Sequence, residues 1–158
     1  MATTTPPQAS DLQSALNAFV MMHRANALLT AQLAQRHRCS VSDMRALVFI
    51  AGGGDTTPGV IGKELGLSTG AITTLVDRLE AAGWAHRVPN PHDRRSSYLE
   101  ALPGGRDVLA EITAVYQDAF TAATAAGSSY DELTTAFASL GTALRATMTH
   151  TANTPAAA

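Results

Sequence analysis

Two short stretches concentrate the side chains able to make directional polar contacts. In the first, Ser68, Thr69, Thr73 and Thr74 carry hydroxyls that both donate and accept, Gly70 and Ala71 add almost no bulk, and Asp77 and Arg78 close the run. In the second, His92, Asp93, Arg94 and Arg95 set two guanidinium forks beside one carboxylate. Hydroxyls make permissive contacts with donor and acceptor edges, and guanidinium forks select anions such as phosphate. The remaining reactive groups are scattered. The chain has a single cysteine, Cys39, and its histidines stand apart, with nothing at metal-ligand spacing beside His23. No nucleophile elbow, phosphate loop, HExxH or paired-carboxylate setting is present. The pattern predicts a binding protein and not an enzyme, with no cofactor and no metal.

The surrounding residues say which elements must hold these groups. Thr57 is an N-cap with Pro58 at the first helical position, and Gly66 is placed to close that short helix at positive φ. Ser68 then caps a longer helix in which Ile72, Leu75, Val76 and Leu79 recur at helical spacing as a buried stripe. That leaves Ser68, Thr69, Gly70, Ala71, Thr73, Thr74, Asp77 and Arg78 on the outer stripe. Gly83 ends the helix, Trp84 to Val88 reads as a strand, and Tyr98 to Leu102 as its partner. The loop between them, Pro89 to Ser97, carries the charged tip. This is the order of a winged helix-turn-helix. The fold class expected is mainly α with a small β-hairpin wing.

Helices on either side complete the chain. From Asp11 to about Arg36, Leu12, Leu16, Phe19, Val20, Ala27 and Leu33 keep a helical period. Ser40 and Asp43 form a capping box for a second helix, with Met44, Leu47, Val48 and Ala51 on its expected buried side and Gly52, Gly53 and Gly54 at its end. Pro103 opens a fifth helix with Val108, Ile112, Val115, Tyr116, Ala119, Phe120 and Ala123 on one face. Ser129 and Glu132 cap a sixth, in which Leu133, Phe137, Leu140, Leu144 and Met148 form a regular stripe. Such a stripe on the last helix points to a second subunit. The division expected is flexible tails at 1–10 and 151–158, a helical dimerisation region at 11–36 and 103–150, and a winged helix-turn-helix DNA-binding domain at 40–102.

Bulk properties narrow the class. The 158 residues have 46% hydrophobic content and a net charge of −2, with a mean hydropathy of +0.04. No apolar run approaches the roughly 18 residues of a membrane span, and the first residues lack the basic-then-apolar pattern of a secretory signal. A cytoplasmic protein without membrane association is expected. The charge is uneven: between Arg24 and Arg45 the bases Arg24, Arg36, Arg38 and Arg45 are accompanied by one acid, Asp43, whereas from Asp107 onward the acids Asp107, Glu111, Asp118, Asp131 and Glu132 are accompanied by one base, Arg145. A basic face on an acidic molecule fits selective nucleic-acid binding.

From about Ser40 to Arg106 the sequence resembles the MarR family of bacterial transcription regulators (multiple antibiotic resistance regulators). The matching phrases are PGVIGKELGLSTGAITTLVDRLEAAGW, the wing HDRRSSYLE and PGGRDVL at the head of the fifth helix. Asp93, Arg95 and Leu99 fit the family pattern at the wing. Ala101 and Leu102 stand where Leu and Thr are usual, so the customary cap before Pro103 is absent. The resemblance implies a homodimer held by the first, fifth and sixth helices, gripping a pseudo-palindromic operator in double-stranded DNA, most simply as a repressor. It implies that Asp93 holds one wing arginine while the other reaches the minor groove. It also implies a small aromatic or anionic ligand, for which Phe19, His23, Met44, Leu47, Ile112 and Tyr116 are the candidate pocket.

The N-terminal half of the fourth helix enters the major groove; Arg78 reaches a phosphate, with Asp77 orienting Arg78 or Arg95. Cys39 invites a redox-sensing alternative, because Arg36, Arg38 and the following helix N-terminus are able to lower its pKa, although an inert cysteine is the preferred reading. The sensing cysteine of peroxide-responsive relatives lies instead early in the first helix. An architectural winged-helix protein of low sequence preference is the other alternative, since hydroxyls read bases permissively.

Overall fold

The computed structural model describes residues 9–53, 56–93 and 95–151. The expected tails at 1–10 and 151–158, the breaker Gly54 and the wing residue Arg94 therefore lie wholly or largely outside the described residues. The elements run α1 (Ala9–Arg36), α2 (Val41–Ala51), α3 (Pro58–Leu65), α4 (Thr69–Ala81), β1 (Ala85–Pro89), β2 (Ser97–Ala101), α5 (Pro103–Ala125) and α6 (Tyr130–Thr151). The chain divides into two compact units, Met1–Ile112 and Thr113–Ala158, so the boundary falls within α5.

The caps of the first unit form as their residue types dictate. Ser40 Oγ accepts from the Asp43 N–H at 3.0 Å while Asp43 Oδ2 accepts from the Ser40 N–H at 3.0 Å, which closes the α2 capping box. Thr57 caps α3 by accepting from Val60 N–H at 3.2 Å, and Pro58 occupies its first turn. Gly66 ends α3 at φ 66°, a conformation that costs a residue without Cβ nothing. Two residues later Ser68 starts α4 by accepting from Ala71 N–H at 3.3 Å. The turn between α3 and α4 is closed by Leu67 N–H donating to Gly62 O at 2.8 Å.

The core sits under α4. Ile72, Leu75, Val76 and Leu79 are 0–5% exposed, as the stripe requires, and pack with Ala46, Ile50, Ile61, Ala85 and Leu99. α2 is turned from its expected face. Met44 and Leu47 are buried, but Val48 is 47% exposed and Ala46 and Ile50 are buried instead, while Ala51 is exposed. The reason is that α2 contacts α1, α3, α4 and β2 together, so its buried sector is broad and centred on the small Ala46.

β1 and β2 pair antiparallel with Ala85 opposite Ala101, Arg87 opposite Leu99 and Pro89 opposite Ser97. The hairpin is tied down by Leu99 N–H, which donates to Thr56 O at 2.9 Å. α5 starts at Pro103 without the customary threonine. Its first turn lies against Trp84: Leu102 N–H donates to Trp84 O at 2.9 Å, and Arg106 Nη1 donates to Ala101 O. Gly105 is required there. A Cβ on it would overlap the Trp84 carbonyl oxygen, lie 2.9 Å from the Trp84 carbonyl carbon and meet Leu47 Cδ1 at 3.1 Å.

The second unit is simpler. Phe120 of α5 meets Phe137 of α6 edge to face, with ring centroids 6.0 Å apart. Ser129 and Glu132 cap α6 reciprocally. Phe137, Leu140, Leu144 and Met148 are 44%, 41%, 47% and 69% exposed, so the α6 stripe is largely uncovered in one chain. On α1 of the first unit, Leu12, Leu16 and Val20 are exposed in the same way.

Candidate nucleic-acid interface

The outer stripe of α4 stands free. Ser68, Thr69, Gly70, Ala71, Thr73 and Thr74 are all exposed, beyond a helix whose inner side is fixed in the core. Their hydroxyls are partly committed. Thr73 Oγ1 donates to Thr69 O at 2.9 Å and Thr74 Oγ1 to Gly70 O at 3.1 Å. Each keeps its oxygen lone pairs and methyl group to present outward. Ser68 does the reverse: its oxygen accepts the capping bond, and its hydrogen stays available. The edge offers acceptors, a donor and methyl groups, with Gly70 and Ala71 permitting close approach.

Arg78 is placed differently from the sequence expectation. Its Nε donates to Asp43 Oδ2 at 3.2 Å and its Nη2 to Asp43 Oδ1 at 2.5 Å. The guanidinium is half-exposed and the Asp43 side chain only 4% exposed. One carboxylate therefore caps α2 and braces α4. Burial pushes the Asp43 carboxyl up, but the Arg78 and Ser40 hydrogen bonds outweigh it and hold the group below the ordinary aspartate value. The same bond raises Arg78. Asp77 orients neither Arg78 nor Arg95; its Oδ1 accepts from Arg87 Nη2 at 2.8 Å.

The wing tip is shaped from within. Asn90 Oδ1 accepts from the N–H groups of His92 and Asp93 at 2.8 and 3.2 Å, and Asn90 Nδ2 donates to Ser96 Oγ at 2.8 Å. Asp93 Oδ1 accepts from the backbone N–H of Arg95 at 2.9 Å. The carboxylate thus fixes the Arg95 main chain, leaving the exposed guanidinium directed by the turn. Reading the sequence for charge alone passes over Asn90, whose signal is a turn-forming Asn between two prolines.

Arg87 is passed over as well. Its N–H donates to Glu80 Oε1 at 2.9 Å, its Nη1 to Glu80 Oε2, and its Nη2 to Asp77, so β1 is pinned to the last turns of α4. No spacing rule pairs residues of a helix with one on the strand that follows it, although the alternation of β1 put Arg87 on the face opposite His86 and Val88.

Cys39 is half-buried. Burial, followed by the nearby Asp43 charge, pushes its thiol up from the ordinary value, against a smaller opposing backbone hydrogen bond. This goes against the redox-sensing alternative and agrees with an inert cysteine. The capping carboxylate cancels the helix N-terminus, and Arg36 Nη1 lies 2.9 Å from Glu111 Oε1. A cleft of about 100 Å³ is lined by His37, Arg38, Cys39, Asp43, Arg78 and Trp84, among others. None of the candidate pocket residues lines it. Met44, Leu47 and Ile112 are core, at 2%, 0% and 7% exposure. Phe19 and His23 stack along α1 with ring centroids 6.1 Å apart. Tyr116 belongs to the second unit. Among the described residues no group of three His, Cys, Asp or Glu side chains is placed to hold a metal. No described helix is long and apolar enough to cross a membrane.

Comparison with known proteins places this arrangement. Residues 40–96 match a family model described as the MarR family. Over 71 residues the chain is 37% identical to the uncharacterised HTH-type transcriptional regulator YcgE of Bacillus subtilis (strain 168), covering 45% of this chain and 46% of that protein. The chain spans about half the length of the curated relatives it matches. FabT of Streptococcus pneumoniae, solved in complex with DNA, superposes with a TM-score of 0.61 at 23% identity, covering 84% of this chain and 95% of that one. MarR of Staphylococcus aureus, solved with salicylate and kanamycin, gives a TM-score of 0.66 at 17% identity, covering 87% and 92%. At these identities the two structures share the fold.

Proposed function

From the match of residues 40–96 to the MarR family model, we propose that the chain is a MarR-family regulator: a cytoplasmic, sequence-specific transcription regulator, acting as a homodimeric repressor on a pseudo-palindromic operator in double-stranded DNA. One observation carries this reading: the exposed edge from Ser68 to Thr74 on α4 stands clear of a braced core, beside a hairpin with a charged tip. The N-terminal half of α4 enters the major groove, where Ser68, Thr69, Thr73 and Thr74 meet base edges and Ala71 meets thymine methyls. Arg95, with Arg94, enters the flanking minor groove. Residues 40–102 form the DNA-binding domain; 11–36 and 103–150 form the dimerisation region, where the uncovered apolar residues of α1 and α6 meet a second copy. FabT, a protein of this fold, was solved with DNA, which supports the nucleic-acid assignment.

The reading includes release by a small aromatic or anionic molecule held by the region of Phe19, His23, Met44, Leu47, Ile112 and Tyr116. MarR of S. aureus, of the same fold, binds salicylate in its solved complex, which supports that class of ligand. A ligand lowers DNA affinity by the difference in its own affinity for the free and DNA-bound states.

The test is selection of duplexes from a random pool by the full chain. An inverted repeat with half-site centres about 10 bp apart supports a dimer with paired recognition helices. A single unrepeated motif removes the dimer, and no enrichment over random duplex leaves an architectural binder. On the selected duplex, Arg94→Ala with Arg95→Ala weakens binding and lowers the slope of log affinity against log salt by about one unit per lost phosphate contact. Unchanged affinity removes the wing from the interface.

A further inference from the structure

The recognition helix and the wing tip are separate reading elements, and the tip's described hydrogen bonds are internal to it: Asn90 and Asp93 hold His92, Arg95 and Ser96. The angle between tip and helix is set at the base of the hairpin, where Leu99 N–H donates to Thr56 O and where β1 meets α4. On the inner side of the hairpin Ala85 and Leu99 are buried in the core, at 0% and 3% exposure. Apolar packing there is firm but weakly directional. Beside them on the same face, since Arg87 follows Ala85 by two residues and stands opposite Leu99, the fixing is directional. Arg87, at the middle of β1, bonds Glu80 through its own N–H at 2.9 Å, Glu80 again through Nη1, and Asp77 through Nη2 at 2.8 Å. Asp77 and Glu80 lie one turn apart on α4, so the planar fork reaches both carboxylates at once. A lysine ammonium carries the charge but has no such fork.

We infer that Arg87 is a positioning residue that locks the wing to the recognition helix, so that the wing arginine contributes to DNA affinity only while the Arg87 clamp is intact. This rests on the proposed DNA-binding function and goes further by making the two contacts energetically one unit. The clamp has a second effect. Asp77 is 60% exposed on the flank of the recognition helix, where an unpaired carboxylate would repel phosphate. Arg87 neutralises it without touching the DNA.

The experiment is a double-mutant cycle on the full chain, read by fluorescence anisotropy at one fixed salt concentration, with the duplex that the parent selects from a random pool as probe. Arg95→Ala alone should weaken binding about tenfold, and Arg87→Lys alone by a similar factor. The double variant should bind no more than about threefold more weakly than Arg87→Lys, because the wing is already unlocked. Asp77→Ala, an exposed substitution that removes one arm of the clamp and leaves the Glu80 bonds, should show the same non-additivity with Arg95→Ala and keeps the test open if Arg87→Lys folds poorly. Losses that multiply, or an Arg87→Lys protein that binds like the parent, overturn the positioning role while the DNA-binding function stands. A parent that enriches no duplex overturns that function, and the inference falls with it.

Discussion

Replacing Asp43 by alanine separates stability from recognition, because this one carboxylate serves both α2 and α4. Its cap on the Ser40 N–H is worth about 1 kcal/mol. The two hydrogen bonds from Arg78 are charge-assisted, of a kind worth about 1.5–3 kcal/mol, but the guanidinium is half-exposed, so solvent screening places them at the lower end. Asp43→Ala should therefore lose about 2–3 kcal/mol, measured by urea unfolding at fixed protein concentration with an unchanged m-value. Arg78→Ala leaves the buried carboxylate without its ion pair, and the cycle with Asp43→Ala should give a coupling of about 1–2 kcal/mol. The pH dependence has a definite sign. Asp43 is held below its ordinary value in the folded state, so its contribution is present above about pH 4 and is lost as pH falls through the folded-state pKa. Asp43→Asn keeps acceptor geometry for the cap and should show a flatter stability profile below about pH 4 than the parent. An Asp43→Ala protein within about 0.5 kcal/mol of the parent, or a cycle that is additive, refutes the shared-brace argument.

Other outcomes follow from single contacts. Gly105→Ala should destabilise by about 1–3 kcal/mol in the same unfolding assay, although alanine normally gains about 1 kcal/mol over glycine in a helix, because its Cβ meets the Trp84 main chain. A stabilised variant would mean that α5 docks elsewhere. Cys39→Ser should leave DNA affinity before and after peroxide unchanged, since burial and Asp43 disfavour the thiolate. A parent that loses affinity on peroxide while Cys39→Ser does not would restore the redox alternative.

Much of the fold is legible residue by residue. Thr57-Pro58, Gly66 and Ser68 state the start of α3, its end and the start of α4, because caps and left-handed turns are local and few residue types satisfy them. The α4 stripe follows from helical period alone. The α2 face differs from the periodic expectation at Val48 and Ala51 because two neighbouring stripes on a short apolar helix are equally periodic, and only the elements packed around it choose between them.

The candidate interface divides the same way. That Ser68, Thr69, Thr73 and Thr74 form one outward edge, and that Asp93 and Arg95 sit on a hairpin tip, follows from the sequence, since period and turn residues fix direction. Which charges pair does not. Local pattern gives Arg78 to phosphate and Asp77 to an arginine of the helix or wing, yet tertiary packing gives Arg78 to Asp43 and Asp77 to Arg87. Ion pairs form between groups that the chain brings together from 35 and 10 residues away, and nothing in local spacing encodes that distance. The elements and the edge they present are written in local sequence; which arginines remain to meet a partner is not, because that depends on where the pairing carboxylates lie once the core has closed.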